Sequence, residues 1–167
     1  MEILDSGTRR NFDSGAVRDV GENKGRADLL PLDVVETLLF GEEDGLSILP
    51  LISDYIYNGD TEKLYTVISR FVYHNWGVDK ITAILEVSKH YEEGAKKYDE
   101  RNWEKGIPLH CYIDSGIRHY LKFMRGDEDE PHGRAFIWNM LGAIWTQKHK
   151  PELIDLPFGE GENAKTN

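Results

Sequence analysis

Carboxylate, histidine and aromatic side chains are concentrated between Ser88 and Arg134, in the run SKHYEEGAKKYDERNWEKGIPLHCYIDSGIRHYLKFMRGDEDEPHGR. Within this run Glu92 and Glu93 stand on one predicted helix, and Asp114 stands on the next. Carboxylates on two packed helices can converge on one cation, and oxygen ligands of this kind suit Mg²⁺ or Mn²⁺. The residue types therefore predict a divalent-metal site in a helical hairpin, with solvated charges on an acidic surface as the alternative.

Helical periodicity predicts the two arms that must position these acids. At about 100° per residue, the first arm, Val78 to Tyr98, gathers apolar and small side chains on one face. That face comprises Ile81, Ile84, Leu85, Ser88, Tyr91, Ala95 and Tyr98. Glu92 flanks the face, and Glu93 points farther round, towards solvent or a neighbouring helix.

The second arm begins at Pro108 after a connection over residues 99–107. Its predicted apolar face comprises Leu109, Ile113, Gly116, Ile117, Tyr120 and Met124. His110 and Asp114 lie on one flank of this face and His119 on the other. The hairpin therefore carries acids on both arms.

Further helices are predicted outside this hairpin. Apolar patterns predict helices over residues 29–40, with Pro31 in the first turn, and over residues 46–57. Asp60 or Thr61 can cap a further helix that ends near Trp76, and Pro131 starts a last one. Its core face comprises Phe136, Ile137, Met140, Ala143 and Ile144.

No alternating strand pattern persists, so the predicted fold class is all-α: a compact multi-helix bundle with an irregular N-terminal loop segment and a C-terminal tail. Residues 1–150 are predicted as a single domain, of which residues 1–28 are mostly loop. Residues 151–167 are predicted as an irregular tail.

Basic residues are grouped in the N-terminal segment, where glycines would let backbone N–H groups approach a ligand. Arg18, Lys24 and Arg26 are the candidates for contacting phosphate there. The glycine and lysine spacing is not that of a Walker A loop. A flexible tail is the alternative to a phosphate-binding loop.

The 20 basic and 30 acidic side chains give a net charge of −10, which disfavours general binding to nucleic acid or anionic membrane. Cys111 is the only cysteine, so no internal disulfide can form and a reducing cytoplasm is the expected setting. Cys111 itself is expected to be a small, partly buried residue. We expect no signal peptide and no membrane-spanning segment.

Two long runs resemble the phage-encoded dATP/dGTP diphosphohydrolase family, in its N-terminal domain. They are SGTRRNFDSGAVRDVGENKGRADLLPLD and HYEEGAKKYDERNWEKGIPLHCYIDSGIRHYLKFMRGDEDEPHGRAFIWNMLGAIW. The resemblance implies hydrolysis of dATP or dGTP to the monophosphate and pyrophosphate with Mg²⁺ or Mn²⁺, in the host cytoplasm. It also suggests kinship with all-α MazG-like pyrophosphohydrolases, whose helices commonly share a core between subunits, and hence a homo-oligomer.

MazG-like enzymes bind metal through an E-x-x-E helix followed by an E-x-x-D helix, and this chain departs from that pattern. It has adjacent Glu92 and Glu93, and Cys111 stands where the first acid of the second motif would be. Glu93 and Asp114 align with motif positions. Glu92 is kept as a ligand on the helical-face argument.

The resemblance implies that a cation held by Glu92, Glu93 and Asp114 neutralises phosphate charge and orients the attacking water, while the acids also supply the base. The candidates for binding the leaving pyrophosphate are Lys24, Arg26 and Lys96. The candidates for shaping the nucleoside pocket are Trp103, His119, His132 and Asn139. Two other functions stay open: a non-catalytic helical nucleotide-binding or interaction module, and an HD-type triphosphohydrolase, although the chain lacks a His-Asp doublet.

Overall fold

Long α-helices make up most of the part of the chain that the computed structural model describes, which comprises residues 8–19, 48–77 and 79–159. The helices are α1 (Ile48–Asn58), α2 (Thr61–Trp76), α3 (Lys80–Tyr98), α4 (Leu109–Arg125) and α5 (His132–His149). Short 3-10 helices span Asn102–Lys105 and Pro151–Leu153, and two strands, β1 (Arg9–Asn11) and β2 (Val17–Asp19), precede the bundle. The predicted all-α class is confirmed. The helix predicted over residues 29–40 lies outside the described residues, as do Lys24 and Arg26.

Side-chain caps and a glycine set the helix ends. The Asp60 carboxylate accepts a hydrogen bond from the backbone N–H of Glu62 at 3.0 Å, which confirms the predicted start of α2. The Asp79 carboxylate caps α3 in the same way. At the end of α4, Gly126 adopts φ 83°, a left-handed conformation that glycine accepts without steric cost.

Helix α5 lies at the centre of the bundle and is buried over most of its length. It packs mainly against α4 and also contacts α2 and α3. The core face predicted for α5 is buried. The face predicted for α4 is also buried, except for Met124, which is 38% exposed. Because these two helices carry strong apolar periods, their orientation follows from the sequence.

Helix α3 presents a different face to the core from the one that its periodicity predicts. Ile81, Ile84 and Leu85 are 68%, 63% and 58% exposed, whereas Ala83, Val87 and His90 are buried. The helix is thus rotated by about one residue position, or about 100°, from the predicted orientation. The prediction was wrong here because small and polar side chains, rather than the largest apolar ones, face α5.

The rotation of α3 leaves an apolar groove beside α2. Its walls include Ile68, Val72, Ala83, Ile84, Val87 and Ile137. No helix in the described ranges is long and apolar enough to cross a membrane.

The N-terminal segment contains a small hairpin where the sequence predicts loop. Strands β1 and β2 pair antiparallel, with Asn11 opposite Val17 and Arg10 opposite Arg18. The Asn102 side chain bonds both backbone polar groups of Val17, accepting from its N–H at 3.2 Å and donating to its C=O at 3.0 Å. Three-residue strands are too short to show an alternating pattern, so the sequence gives no signal for them. The hairpin is instead fixed by its anchor on the α3–α4 connection.

Residues 151–159, in the predicted tail, pack on the bundle. The Asp155 carboxylate accepts a hydrogen bond from the backbone N–H of His110 at 2.9 Å and also contacts the His110 ring. Leu156 is buried, and Phe158 packs edge-on against Tyr55 with ring centroids 5.7 Å apart. The contact with Asp155 raises the pKa of His110 to about 10.

Glycines in two helices provide a matched test of this packing. A Cβ at Gly142 of α5 would overlap the ring of buried Tyr112, whereas a Cβ at Gly94 of α3 would meet nothing within 4 Å. We expect Gly142→Ala to lower the free energy of unfolding by about 1–3 kcal/mol through overpacking. We expect Gly94→Ala to raise it by about 0.5–1 kcal/mol, because alanine favours helix. Denaturant unfolding measures both, and an unchanged stability in Gly142→Ala would contradict the close α4–α5 packing.

Candidate functional site

A cluster of charged and polar side chains interrupts the apolar core where β2, α3, α4 and α5 meet. It consists of Arg18, His90, Glu93, Asp114, Arg118, His119, His132, Arg134 and Asn139. Burying such groups costs free energy unless they are paired, so a cluster of this size in a small bundle indicates a function beyond stability. Several of its side chains keep between 10% and 21% of their surface exposed, which leaves them within reach of a ligand.

An ion pair between α3 and α5 lies at the centre of the cluster. Arg134, which is 6% exposed, donates from Nη2 to Oε1 of Glu93 at 2.5 Å. The other Glu93 oxygen, Oε2, is buried and has no hydrogen-bond partner among the described residues. A buried carboxylate oxygen that lacks a donor costs free energy, and a ligand, ion or water at that position would recover it.

A second ion pair lies on α4, between two side chains that are one helical turn apart. Arg118 Nη1 and Asp114 Oδ2 are 2.7 Å apart, and the two side chains are 21% and 10% exposed. The i,i+4 spacing brings them to the same side of the helix. The two predicted acids that lie in the cluster, Glu93 and Asp114, are thus each neutralised by an arginine.

The hairpin contributes a third arginine. Arg18 on β2 donates from Nη2 to the Asn139 side-chain oxygen at 2.7 Å. Its guanidinium carbon lies 5.4 Å from the ring centroid of Tyr112 and 5.8 Å from that of Trp138. Its Nη1 atom is buried and makes no hydrogen bond within the described part of the chain. A guanidinium held on aromatic rings with one donor unused is suited to an anionic ligand.

Two histidines face each other at the edge of the cluster. Nδ1 of His119 and Nδ1 of His132 are 2.9 Å apart, and His132 Nε2 lies 2.7 Å from Oδ1 of Asp129. Burial, with the nearby charges of His132, His90 and the arginines 18 and 118, holds the pKa of His119 well below its usual range. The hydrogen bond with His132 holds the pKa of Asp129 below its usual range.

His90 is the most buried titratable group that α3 contributes. Burial, reinforced by the positive charges of Arg134, Arg18 and Lys97, lowers its pKa to about 3. Its ring centroid lies 5.5 Å from that of Trp138. His90 is therefore neutral at physiological pH, and its buried Nδ1 has no hydrogen-bond partner in the described structure.

The structure brings together most of the predicted site residues. Those in the cluster are Arg18, Glu93, Asp114, His119, His132 and Asn139. Glu92 and Lys96 lie outside it, since their exposed side chains pair with each other at 2.6 Å on the surface of α3. Trp103 also lies outside the cluster and packs edge-on against Tyr91 and Trp145. Lys24 and Arg26 lie outside the described residues.

His90, Arg118 and Arg134 also belong to the cluster, although sequence reasoning does not identify them as site residues. The i,i+4 spacing of Asp114 and Arg118 was an available signal, since such pairs commonly share a helix face. His90 lies three residues before Glu93 and so occupies the same side of α3. For Arg134 the sequence offers no signal, because its partner is on another helix.

The three carboxylates predicted to hold a metal do not form one group. Glu92 pairs with Lys96, Glu93 with Arg134 and Asp114 with Arg118. Within the described residues, the groups of three or more ligand atoms that lie within 4.8 Å of one another are formed by other side chains. The observed side chains therefore do not fit the predicted three-carboxylate metal site.

The fold and the site define an all-α domain with a buried arginine, histidine and carboxylate cluster suited to an anionic ligand. Residues 74–156 match the family described as dATP/dGTP diphosphohydrolase, N-terminal. This segment belongs to that family, which confirms the resemblance found in the sequence. No curated protein matches the chain. No solved structure matches it either.

The buried neutral His90 predicts a loss of stability in acid. Its pKa is lowered on folding, so below the ordinary value of 6.5 the unfolded chain binds a proton that the folded chain does not. The contribution of His90 to the free energy of unfolding is thus complete above pH 6.5, and it is lost as the pH falls towards 3. Between pH 7 and pH 5 this one group lowers the free energy of unfolding by about 2 kcal/mol.

We expect His90→Gln to show a shallower fall in the free energy of unfolding between pH 7 and pH 5 than the wild type. The readout is the slope with pH, which is insensitive to any constant packing cost of the substitution. His74→Gln is the control, because His74 is exposed and its slope should match the wild type. An unchanged slope in His90→Gln would show that His90 is not buried in the neutral form.

Proposed function

We propose that the protein hydrolyses purine deoxynucleoside triphosphates, dATP or dGTP, to the monophosphate and pyrophosphate in a metal-dependent reaction. The family description supports this activity, since it names a dATP/dGTP diphosphohydrolase. A homo-oligomer in the host cytoplasm is proposed from the same resemblance. The site adds support that is independent of the name.

The observation that carries the proposal is the concentration of guanidinium groups inside an acidic protein. Arg18, Arg118 and Arg134 converge on one cluster although the whole chain carries a net charge of −10. Guanidinium groups bind phosphate oxygens through paired, charge-assisted hydrogen bonds. The unused Arg18 Nη1 donor is available for such a bond without loss of an existing one.

The proposed reaction is attack of water on the α-phosphorus. The water oxygen forms a bond to that phosphorus, the bond to the bridging oxygen breaks, and pyrophosphate leaves with the electron pair. The arginines bind the polyphosphate and offset its developing charge. Glu93 and Asp114 are the candidates for accepting the proton of the water. A divalent cation, Mg²⁺ or Mn²⁺, would add to the neutralisation of phosphate charge when bound.

The aromatic side chains around Arg18 are suited to the nucleoside. Tyr112 and Trp138 stack near the guanidinium, and Asn139 offers an amide beside them. An amide can bond a base edge, and an aromatic ring can contact the base or the ribose. Asn139 is therefore the proposed nucleoside contact.

A product assay tests the function. The purified protein is incubated with dATP, dGTP, dCTP and dTTP in Mg²⁺, in Mn²⁺ and in chelator. We expect monophosphate and pyrophosphate from a purine substrate, and no product in chelator. Tripolyphosphate and nucleoside would instead indicate an HD-type triphosphohydrolase. Binding without any product would indicate a nucleotide-binding module.

Arg18 gives a sharper test of the phosphate site. We expect Arg18→Ala to weaken nucleotide binding by about 10–100-fold, which corresponds to the loss of one charged hydrogen bond of about 1.5–3 kcal/mol. Arg101→Ala is the control. The Arg101 side chain is 74% exposed, and its ion pair among the described residues is with the nearby Glu104. Calorimetry with a non-hydrolysable triphosphate measures both. Equal affinity of Arg18→Ala and Arg101→Ala would remove Arg18 from the site.

The acids provide a test with an internal control. Glu93→Gln and Asp114→Asn keep a hydrogen-bond acceptor for their arginines but remove the charge and the proton acceptor. We expect each to lower kcat by at least about 100-fold. Glu92→Gln should stay within about twofold of the wild type, because Glu92 is exposed and pairs only with surface Lys96 among the described contacts.

Steady-state kinetics with the preferred purine triphosphate separate these outcomes. An equal loss in all three variants would favour the three-carboxylate metal site that the sequence predicts. Wild-type activity in Glu93→Gln and Asp114→Asn would exclude both acids from the chemistry. Thermal melts of each variant show whether a loss reflects unfolding.

A further inference from the structure

Three side chains at the start of α5 and on the facing side of α4 present ligand atoms to one point. They are His119, Glu130 and His132, and their ligand atoms all lie within 4.8 Å of one another. His119 Nδ1 lies 2.9 Å from His132 Nδ1 and 3.9 Å from Glu130 Oε2. His119 lies on α4, Glu130 in the turn after it, and His132 at the start of α5, so the three residues form no recognisable sequence motif.

Asp129 fixes the tautomer of one histidine. His132 is buried, and its Nε2 lies 2.7 Å from the Asp129 carboxylate, which can only accept a hydrogen bond. The proton of a neutral His132 is therefore on Nε2, and the lone pair on Nδ1 points at His119. A carboxylate that holds the far nitrogen of a histidine in this way is the usual support of a metal-binding imidazole.

The nitrogen spacing also suits a shared ion. Two nitrogens that bind one cation at about 2.1 Å lie about 3 Å apart when they occupy neighbouring octahedral positions. The observed 2.9 Å is close to that value. A direct hydrogen bond between the two rings gives a similar distance, so the third donor is the discriminating feature.

Glu130 supplies that third donor. The Glu130 side chain is 16% exposed. Among the described residues, the ionic partner of its carboxylate is His119. The neighbouring acids differ in this respect: Asp127 pairs with Arg125, and Asp129 pairs with Lys122 at 3.0 Å. Unlike Asp127 and Asp129, Glu130 has no lysine or arginine contact among the described residues that neutralises its charge.

We propose that His119, Glu130 and His132 form a binding site for a divalent first-row transition cation, with Asp129 as the positioning residue. Two imidazole nitrogens and one carboxylate suit Mn²⁺, Fe²⁺ or Zn²⁺ better than Mg²⁺, which prefers oxygen ligands and keeps its waters. The site goes beyond the proposed function, since it is defined by cation binding in the absence of nucleotide.

The surrounding charges set the balance of this site. Arg18 and Arg118 lie near His119 and disfavour a cation, but Asp114 pairs with Arg118. Glu130 and Asp129 add negative charge at the ligands themselves. The arginines beside the site would instead favour an anion next to the bound cation, which fits a phosphate that contacts both.

Metal titration without nucleotide tests the site. Mn²⁺, Zn²⁺ and Mg²⁺ are each titrated into the full chain by calorimetry, beside thermal melts with and without the ion. We expect one Mn²⁺ or Zn²⁺ per chain and at least about tenfold weaker binding of Mg²⁺. Glu130→Gln and His119→Gln should each weaken Mn²⁺ and Zn²⁺ binding at least about tenfold and abolish the rise in melting temperature.

Two acids of the same turn serve as matched controls. Glu128→Gln removes one charge from an exposed neighbour, and Asp127→Asn tests the other acid group that shares His132. Both should bind the ion as the wild type does. Loss of binding in Asp127→Asn with retention in Glu130→Gln would place the ion elsewhere and overturn the proposal.

The remaining outcomes are also decisive. Absence of Mn²⁺ and Zn²⁺ binding to the wild type, or unchanged binding in Glu130→Gln, would overturn the site. If His119→Gln does not fold, Glu130→Gln decides alone, because Glu130 lies in the turn before α5. The two proposals fail separately. Absence of hydrolysis products would contradict the proposed function but not the metal site, and absence of metal binding would contradict the metal site but not nucleotide hydrolysis.

Discussion

The ion pair between Glu93 and Arg134 is the constraint on which the arrangement of the bundle depends. It joins α3 to the central helix α5 with one partner almost fully buried, and breaking a buried pair strands a charge in the core. The pair therefore fixes the rotation of α3. One consequence is that His90 faces α5, and another is that the large apolar residues Ile81 and Ile84 face outwards. Burial of charge has taken precedence over burial of apolar area on this helix.

The hairpin depends on a second constraint, the paired hydrogen bonds between Asn102 and Val17. They hold β2 against the connection between α3 and α4, and the next residue, Arg18, then reaches the side chain of Asn139. A segment that is remote in the sequence thus completes the polar cluster. The same bonds satisfy backbone groups at the edge of a two-stranded sheet, which would otherwise have to be solvated.

The chemistry of the cluster differs from an acid-only metal site. Each predicted acid that is buried is held by an arginine, and the histidines lie beside the arginines rather than apart from them. Arginine side chains thus adjoin a set of histidine nitrogens. Membership of the diphosphohydrolase family is consistent with a polyphosphate as the anion.

The sequence by itself determined the helical class, the helix start at Asp60, and the core faces of α4 and α5. These features follow from local rules: capping by carboxylates and a helical apolar period that is strong over several turns. It also identified six members of the cluster by residue type, among them Arg18, Glu93 and Asn139. Local rules sufficed because those residues lie on regular helices or in a distinctive basic segment.

Only the tertiary structure decided which side chains meet. Which of Glu92 and Glu93 faces α5 depends on the rotation of α3, which its own apolar period predicts wrongly. The pairing partner of Glu93, Arg134, lies 41 residues away in the sequence. The facing of His119 and His132 likewise depends on how α4 packs against α5. Pairing of charges across helices is a property of packing, and a sequence records the charges without recording the distances between them.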